Sequence, residues 1–404
     1  RYNMIAFFRQ FFKQKNMKNL WYNMLCVFIR YKAIYDMQRR DMRILHTADW
    51  HLGKKLEGRL RLEEQSLALD QIISVAKERN IDAIIVAGDV FDTAVPSAEA
   101  EELFFSAAAG MSEVAPVVVI AGNHDDADRL AAPLTLAKRH GIYLVGGMDN
   151  TSFSSDSVFG GEGWLKMNIG GEVLNLAALP FPSKSRLGEY GEGEDYPSFV
   201  SSLIDKCTSC FGNGVNVFAA HLFMDGCLTG EAASMALMRS ILPQADYCAL
   251  GHIHKPQCVS HKCNAYYCGS LLKYHFDETD VKQVNIFDSS DKSVTPVVLT
   301  ASKPLVRIET DNFDEALKRL NSAGDCYAEL IFTTQQPLKP SQLEQLRSIP
   351  CFTKLSIINT SVKREVFTRK EQTDKEIFVS YYTSCTGKEP TEETVKAFLE
   401  VLGQ

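Results

Sequence analysis

Five short motifs carry side chains able to bind divalent cations: Asp49-x-His51, Gly88-Asp89, Gly122-Asn123-His124-Asp125, His221 and Gly251-His252-x-His254. They offer carboxylate and amide oxygen or imidazole nitrogen, donors that suit Mn, Fe and Zn, and none offers thiolate. Of nine histidines, five lie in these motifs and none follows His275; histidine used as surface filler would be scattered. Two divalent ions about 3.5–4 Å apart can clamp the attacking and leaving oxygens of an in-line displacement at phosphorus. Their mutual repulsion calls for an anionic bridge, and Asp89, directly after an apolar run, is the best-placed one. Asp49 and His51 stand two apart, so an extended backbone would turn both to one side and let them chelate one ion. Asn123 supplies a neutral carbonyl oxygen. His252 and His254 share that spacing, and a turn between the ions lets each reach a different one. His124 directly follows a ligand and is expected to face the substrate, as a general acid or an electrostatic clamp. Asp125 behind it would fix its tautomer and raise its basicity. Singly, a Gly-Asp or Gly-Asn-His-Asp stretch reads as a turn and His221 as a buried core histidine. Turns alone do not explain five such sites, each after an apolar run.

Those runs are strands. Arg43–Thr47, Ala83–Ala87 (AIIVA), Val117–Ala121 (VVVIA) and Ile142–Val145 alternate with helices expected at Leu60–Arg79, Pro96–Ala109 and Ala127–His140. Continuous apolar runs suit strands buried on both faces. The βαβαβαβ order predicts an α/β domain with its site beyond the C-terminal strand ends. A hairpin at Trp164–Ala178 and strands at Val215–Ala220, Tyr247–Leu250, Ala265–Tyr267, Gln283–Phe287 and Val294–Leu299 suggest a second sheet. Pro296 assigns the last of these to an edge. The expected class is α/β, a four-layer α/β/β/α sandwich over 42–303, followed by a small α+β domain over 304–385 and a C-terminal helix within 386–404 that could contact a partner.

Together the motifs resemble the signature of the calcineurin-like metallophosphoesterases. Ile44–Gly53 (ILHTADWHLG), Ala87–Asp92 (AGDVFD) and Ala249–Gln257 (ALGHIHKPQ) are closer still to the SbcD-type nucleases within that family. The resemblance runs from Met42 to about the C-terminus and is weaker over 150–215 and beyond 305. It implies a double-strand exonuclease and single-strand endonuclease acting on DNA ends and hairpins with two Mn ions, Mg being the alternative. It implies that Asp49, His51, Asp89 and His254 hold one ion, that Asp89, Asn123, His221 and His252 hold the other, and that His124 is the catalytic histidine. It also implies an SbcC-type ATPase partner and a homodimer of this chain. No Gly-x-x-x-x-Gly-Lys-Ser/Thr loop occurs here, so ATP dependence would come from that partner. The alternative is a stand-alone phosphomonoesterase or cyclic-nucleotide phosphodiesterase on the same metals.

The net charge of −7 hides an asymmetry. Residues 1–41 carry nine Lys or Arg and two Asp, leaving 34 basic and 48 acidic residues, net −14, for the rest. Such an acidic body does not coat DNA by charge alone. Segment 1–41 is aromatic and basic without caps or a steady period. It reads as an extension outside the fold, translation starting at Met42, with a membrane-surface helix or a targeting segment as alternatives. Eleven cysteines, an odd number, read as free thiols in a reducing cytoplasm. No stretch reaches the roughly 18 apolar residues of a membrane-spanning helix. Lys54, Lys55, Arg59 and Arg61 read as phosphate contacts or as a solvated helix start. Cys258, His261, Cys263 and Cys268 lack the paired spacing of a zinc ribbon.

Overall fold

The computed structural model describes residues 41–151, 157–183, 195–227 and 237–359, with short stretches between 378 and 398. Residues 1–40 and most of the expected terminal helix lie outside the described residues. The chain forms β1 (Arg43–Thr47), a hairpin of β2 (Lys55–Leu56) and β3 (Arg59–Leu60), α1 (Leu62–Glu78), β4 (Ala83–Ala87), α2 (Ala98–Ser112), β5 (Val117–Ile120), α3 (Ala127–Ala131), α4 (Leu134–Ala137) and β6 (Ile142–Val145). Then come β7 (Val158–Gly161), β8 (Trp164–Ile169), β9 (Glu172–Leu179), α5 (Tyr196–Cys207), β10 (Val215–His221), β11 (Tyr247–Gly251), β12 (Gln257–Ser260), β13 (Ala265–Tyr267), β14 (Gln283–Asp288) and β15 (Ser293–Val298).

These strands make two sheets, β15-β14-β1-β4-β5-β6 and β12-β13-β11-β10-β9-β8-β7; the β14–β15 hairpin, expected in the second sheet, instead extends the first, with β14 antiparallel to β1. The alternation of side chains along each strand gives the layers. In β4, Ile84 and Val86 pack with Leu69, Ile72 and Phe104 of α1 and α2. Ala83, Ile85 and Ala87 pack with Val217 and Ala219 of β10 across the inter-sheet core. The next residues of β10, Phe218 and Ala220, point the other way, to Val200 and Ile204 of α5. The result is helix on sheet on sheet on helix. Both faces of β4 are buried, so its sequence has no polar alternation.

Local chemistry sets the boundaries. Ser97 caps α2 by accepting from Ala100 N, so the helix starts after Pro96 rather than at it. The continuous helix expected at 127–140 is broken. Pro133 has no N–H and its ring opposes the preceding turn; the chain restarts at Leu134, and a 3₁₀ turn at Lys138–His140 ends on Gly141 with φ 74°. β15 is an edge strand, where Pro296 is tolerated. Among the described residues no helix is long and apolar enough to cross a membrane.

A C-terminal unit follows: β16 (Leu305–Thr310), α6 (Phe313–Ser322), β17 (Tyr327–Thr334), α7 (Pro340–Arg347) and β18 (Phe352–Asn359). Its three strands are parallel, and it has its own core around Leu320, Leu330 and Leu346.

Candidate metal centre

β1, β4, β5, β10 and β11 all end at one side of the sandwich, and every candidate ligand lies at or just past one of these ends. The pairing of β1 with β4 continues into the loops: Asp49 N donates to Gly88 O at 3.0 Å, His51 N to Asp89 O at 3.0 Å and Leu52 N to Val90 O at 2.9 Å. Backbone hydrogen bonds thus hold the two ligand loops side by side.

Asp49, His51, Asp89 and His252 all have positive φ, at 51°, 45°, 49° and 103°. Non-glycine residues seldom adopt this region, and such strain concentrates at functional sites. It corrects one expectation: Asp49 and His51 meet through a left-handed bend, not through the pleat of an extended segment. The motif glycines are required by space. A Cβ on Gly88 would lie 2.2 Å from His221 Nδ1, and one on Gly251 would lie 1.7 Å from Ala87 O.

Ligand atoms gather in three overlapping groups, each within 4.8 Å: Asp49, His51 and His254; Asp89, His221 and His252; and His51, Asp89 and His124. Asp89 belongs to two of them. Its Oδ2 lies 3.6 Å from His51 Nε2 and 3.4 Å from His221 Nε2. Asn123 Oδ1 stands 3.0 Å from His221 Nε2 and 2.9 Å from His252 Nδ1. Asp49 accepts the backbone N–H of His252. His252 and His254 therefore do reach different groups.

The donor set fits divalent cations. His221 Nδ1 donates to Ala87 O at 2.8 Å, which turns Nε2 inward. His51 Nε2 faces His254 Nε2 at 2.9 Å, and burial lowers the pKa of both rings, keeping them neutral. Burial pushes the Asp49 carboxyl up to about 7 and the neighbouring Asp89 charge adds to this, while the His221 imidazole opposes it. Burial also works against charging His221, yet Asp89 and Asp49 outweigh it and hold that ring at about 9. Buried acceptors converging on one point demand positive charge there.

Two expectations need correction. The sequence assigns Asp125 to hold His124, but the structure gives that task to the Asp92 carbonyl, which accepts from His124 Nδ1 at 2.9 Å. Asp125 instead accepts from the backbone N–H groups of Val90, Phe91 and Gly122 at 3.1, 2.9 and 2.8 Å, tying the β4 and β5 loops together. The basic loop is also occupied internally. Lys54 pairs with Asp92 at 2.8 Å. Arg59 donates to Pro350 O and Phe352 O at 2.7 and 2.6 Å. Arg61 is buried and pairs with Glu64.

Sequence reasoning missed other contributors. Asp92 Oδ1 lies 3.5 Å from His51 Nδ1, and its signal was present in the Gly88–Asp92 stretch. Phe181 stacks on His252 with centroids 6.1 Å apart. Buried Lys282 donates to His254 O at 2.9 Å. Neither has a local sequence signal. Cys258, His261, Cys263 and Cys268 do not form one of the three ligand groups.

The family model for calcineurin-like phosphoesterases matches residues 42–256. Over 392 residues the chain is 34% identical to the SbcD component of nuclease SbcCD from Bacillus subtilis (strain 168), a match covering 89% of this chain and 97% of that protein.

Proposed function

The chain belongs to the calcineurin-like phosphoesterase family, and on that premise we propose that it hydrolyses DNA phosphodiester bonds at double-strand ends and hairpins, as the nuclease component of an SbcCD-like assembly. It is a metal-dependent hydrolase of the nuclease kind. The observation carrying this reading is the place of Asp89, whose Oδ2 lies 3.4 Å from His221 Nε2 in its own group with His252 and 3.6 Å from His51 Nε2 of the Asp49–His51–His254 group, in a chain similar along most of its length to a nuclease component. Asp49, His51, Asp89 and His254 would hold one divalent ion and Asp89, Asn123, His221 and His252 the other, with Mn the proposed metal and Mg the alternative. Two such ions supply the positive charge that clamps the attacking and leaving oxygens at phosphorus.

The remaining work belongs to the chain. The bond from His124 Nδ1 to Asp92 O fixes the tautomer and leaves Nε2 as the nitrogen that gives or takes a proton beside the leaving oxygen. Asp125 contributes by setting the loop geometry that places Asp89 and His124. Phe181 stacks on His252 and walls that side of the site.

The proposed partner is an SbcC-type ATPase, with two copies of this chain in the assembly and action in the cytoplasm. The test is cleavage of a labelled DNA duplex in Mn or Mg, with and without such an ATPase, beside hydrolysis of a small aryl phosphate monoester. Hydrolysis of the monoester with intact DNA under every condition would overturn the assignment in favour of a phosphomonoesterase.

A further inference from the structure

Neighbouring side chains on the first turn of α1 face in two directions. Gln65, fully buried, closes on the His51 loop: its Oε1 accepts from Gly53 N at 3.1 Å, and its Nε2 donates to His51 O at 2.8 Å, Trp50 O at 3.3 Å and Tyr274 Oη at 2.9 Å. Because the carbonyls only accept, the amide orientation is fixed. Tyr274 in turn donates its hydroxyl to Trp50 O. Glu64 faces the C-terminal unit: it accepts from Tyr327 Oη at 2.8 Å and from Lys303 N at 2.7 Å. Arg61 neutralises it and lies 4.8 Å from the Tyr327 ring centroid.

We propose that Gln65 is a positioning residue for the ion held by His51, and that Glu64 beside it couples that position to the C-terminal unit through Tyr327. This rests on reading the Asp49–His51–His254 group as a metal site. The contacts form one chain: Tyr327 sets Glu64, Glu64 sets the first turn of α1, and the next residue on that turn grips the backbone on both sides of the His51 peptide. A helix is stiff over one turn, so a shift of the C-terminal unit at Tyr327 moves the grip. Second-sphere partners of this kind typically change metal affinity about 10–100-fold.

The experiment is calorimetric titration of the full chain with Mn2+, with thermal melts of the same samples. Gln65→Glu keeps the shape but turns an acceptor towards two carbonyls. It should weaken one of the two binding steps about 10–100-fold and leave the other near wild type. Should it fail to fold, Tyr274→Phe removes one hydroxyl from the same clamp and is read in the same way. Tyr327→Phe, remote from the ligands, should weaken the same step about tenfold. A lower melting temperature with both affinities unchanged makes Gln65 merely structural and overturns the proposal, as does equal weakening of both steps. Wild-type affinities in Tyr327→Phe overturn the coupling. Failure of the wild-type chain to bind two ions would overturn the metal-site reading instead.

Discussion

Replacing Gly122 with alanine tests how tightly the fold is drawn around Asp89. A Cβ at this position would lie 2.1 Å from Asp89 Oδ1, 2.2 Å from Asp89 N and 2.7 Å from Asp89 Cγ, where ordinary contact begins at 3.4 Å. A gap of roughly 1 Å must therefore open, and little can yield. Asp89 O accepts from His51 N at 3.0 Å, Asp89 Oδ1 accepts from His124 N at 2.9 Å, and Gly122 N is held by Asp125 at 2.8 Å. Overpacking of this kind costs about 1–3 kcal/mol. In a domain of about 150–250 residues such a loss lowers Tm by roughly 2–4 °C per kcal/mol, and in this longer chain by no more than that. The functional loss should be larger, because a misplacement of about 1 Å at a reacting centre costs on the order of 10²-fold in rate. The control is Gly212→Ala, where a Cβ meets nothing within 4 Å; it should melt like wild type and keep full activity. Calorimetric melts, metal content and Mn-dependent hydrolysis of a small phosphodiester give the readouts. Wild-type rate and metal content in Gly122→Ala would refute the claim that this glycine is required by the Asp89 carboxylate.

Asp89→Ala should abolish tight binding of both ions, because Asp89 Oδ2 lies between His51 Nε2 at 3.6 Å and His221 Nε2 at 3.4 Å; two tightly held ions in that variant would remove its bridging role. His124→Gln should lower cleavage about 10²–10⁴-fold while metal content stays near wild type, and wild-type-like cleavage would remove His124 from the mechanism. Chelation should lower the melting temperature, since an ion present at about 100 times its Kd stabilises by about 2.7 kcal/mol per site; an unchanged melt on adding chelator would contradict the proposed centre. Glu64→Gln should destabilise the fold by about 3–5 kcal/mol, because it leaves the buried Arg61 charge without its counter-ion; a melt within about 2 °C of wild type would show the pair to be dispensable.

What is legible in the sequence follows from burial. β4 and β5 are covered on both faces, so they appear as unbroken apolar runs, and the polar residue ending each run must lie at a strand end. The candidate ligand set is legible for the same reason. What is not legible depends on partners far along the chain. Gln65 looks like any other helix residue until Tyr274 and the Trp50–Gly53 loop close on it. Arg59 and Arg61 look like phosphate contacts until Pro350, Phe352 and Tyr327 arrive, nearly 300 residues later in the case of Arg59. Adjacency also misleads where the backbone bends. Asp125 follows His124 directly, yet its carboxylate meets the amides of another loop, and the His124 ring meets Asp92. Pro133 is visible in the sequence, but the periodic helical pattern around it hides the break it imposes.

For the proposed DNA substrate, the internal use of the basic loop changes where specificity must come from. Affinity for a duplex scales with the number of phosphates that Lys and Arg neutralise. Of the four basic residues after the first ligand motif, Lys54, Arg59 and Arg61 already have partners within this chain, and the chain as a whole is net acidic at −7. The metals themselves do not choose a polymer over a small ester, since they engage only the reacting phosphate. Positioning a duplex end over this centre therefore calls for cationic surface beyond loop 54–61, which a DNA-binding partner in the proposed assembly would supply. Under the proposed coupling, the seam built by Arg61, Glu64 and Tyr327 would give such a partner a route to the candidate metal centre: force applied to the C-terminal unit would reach His51 through a single helical turn.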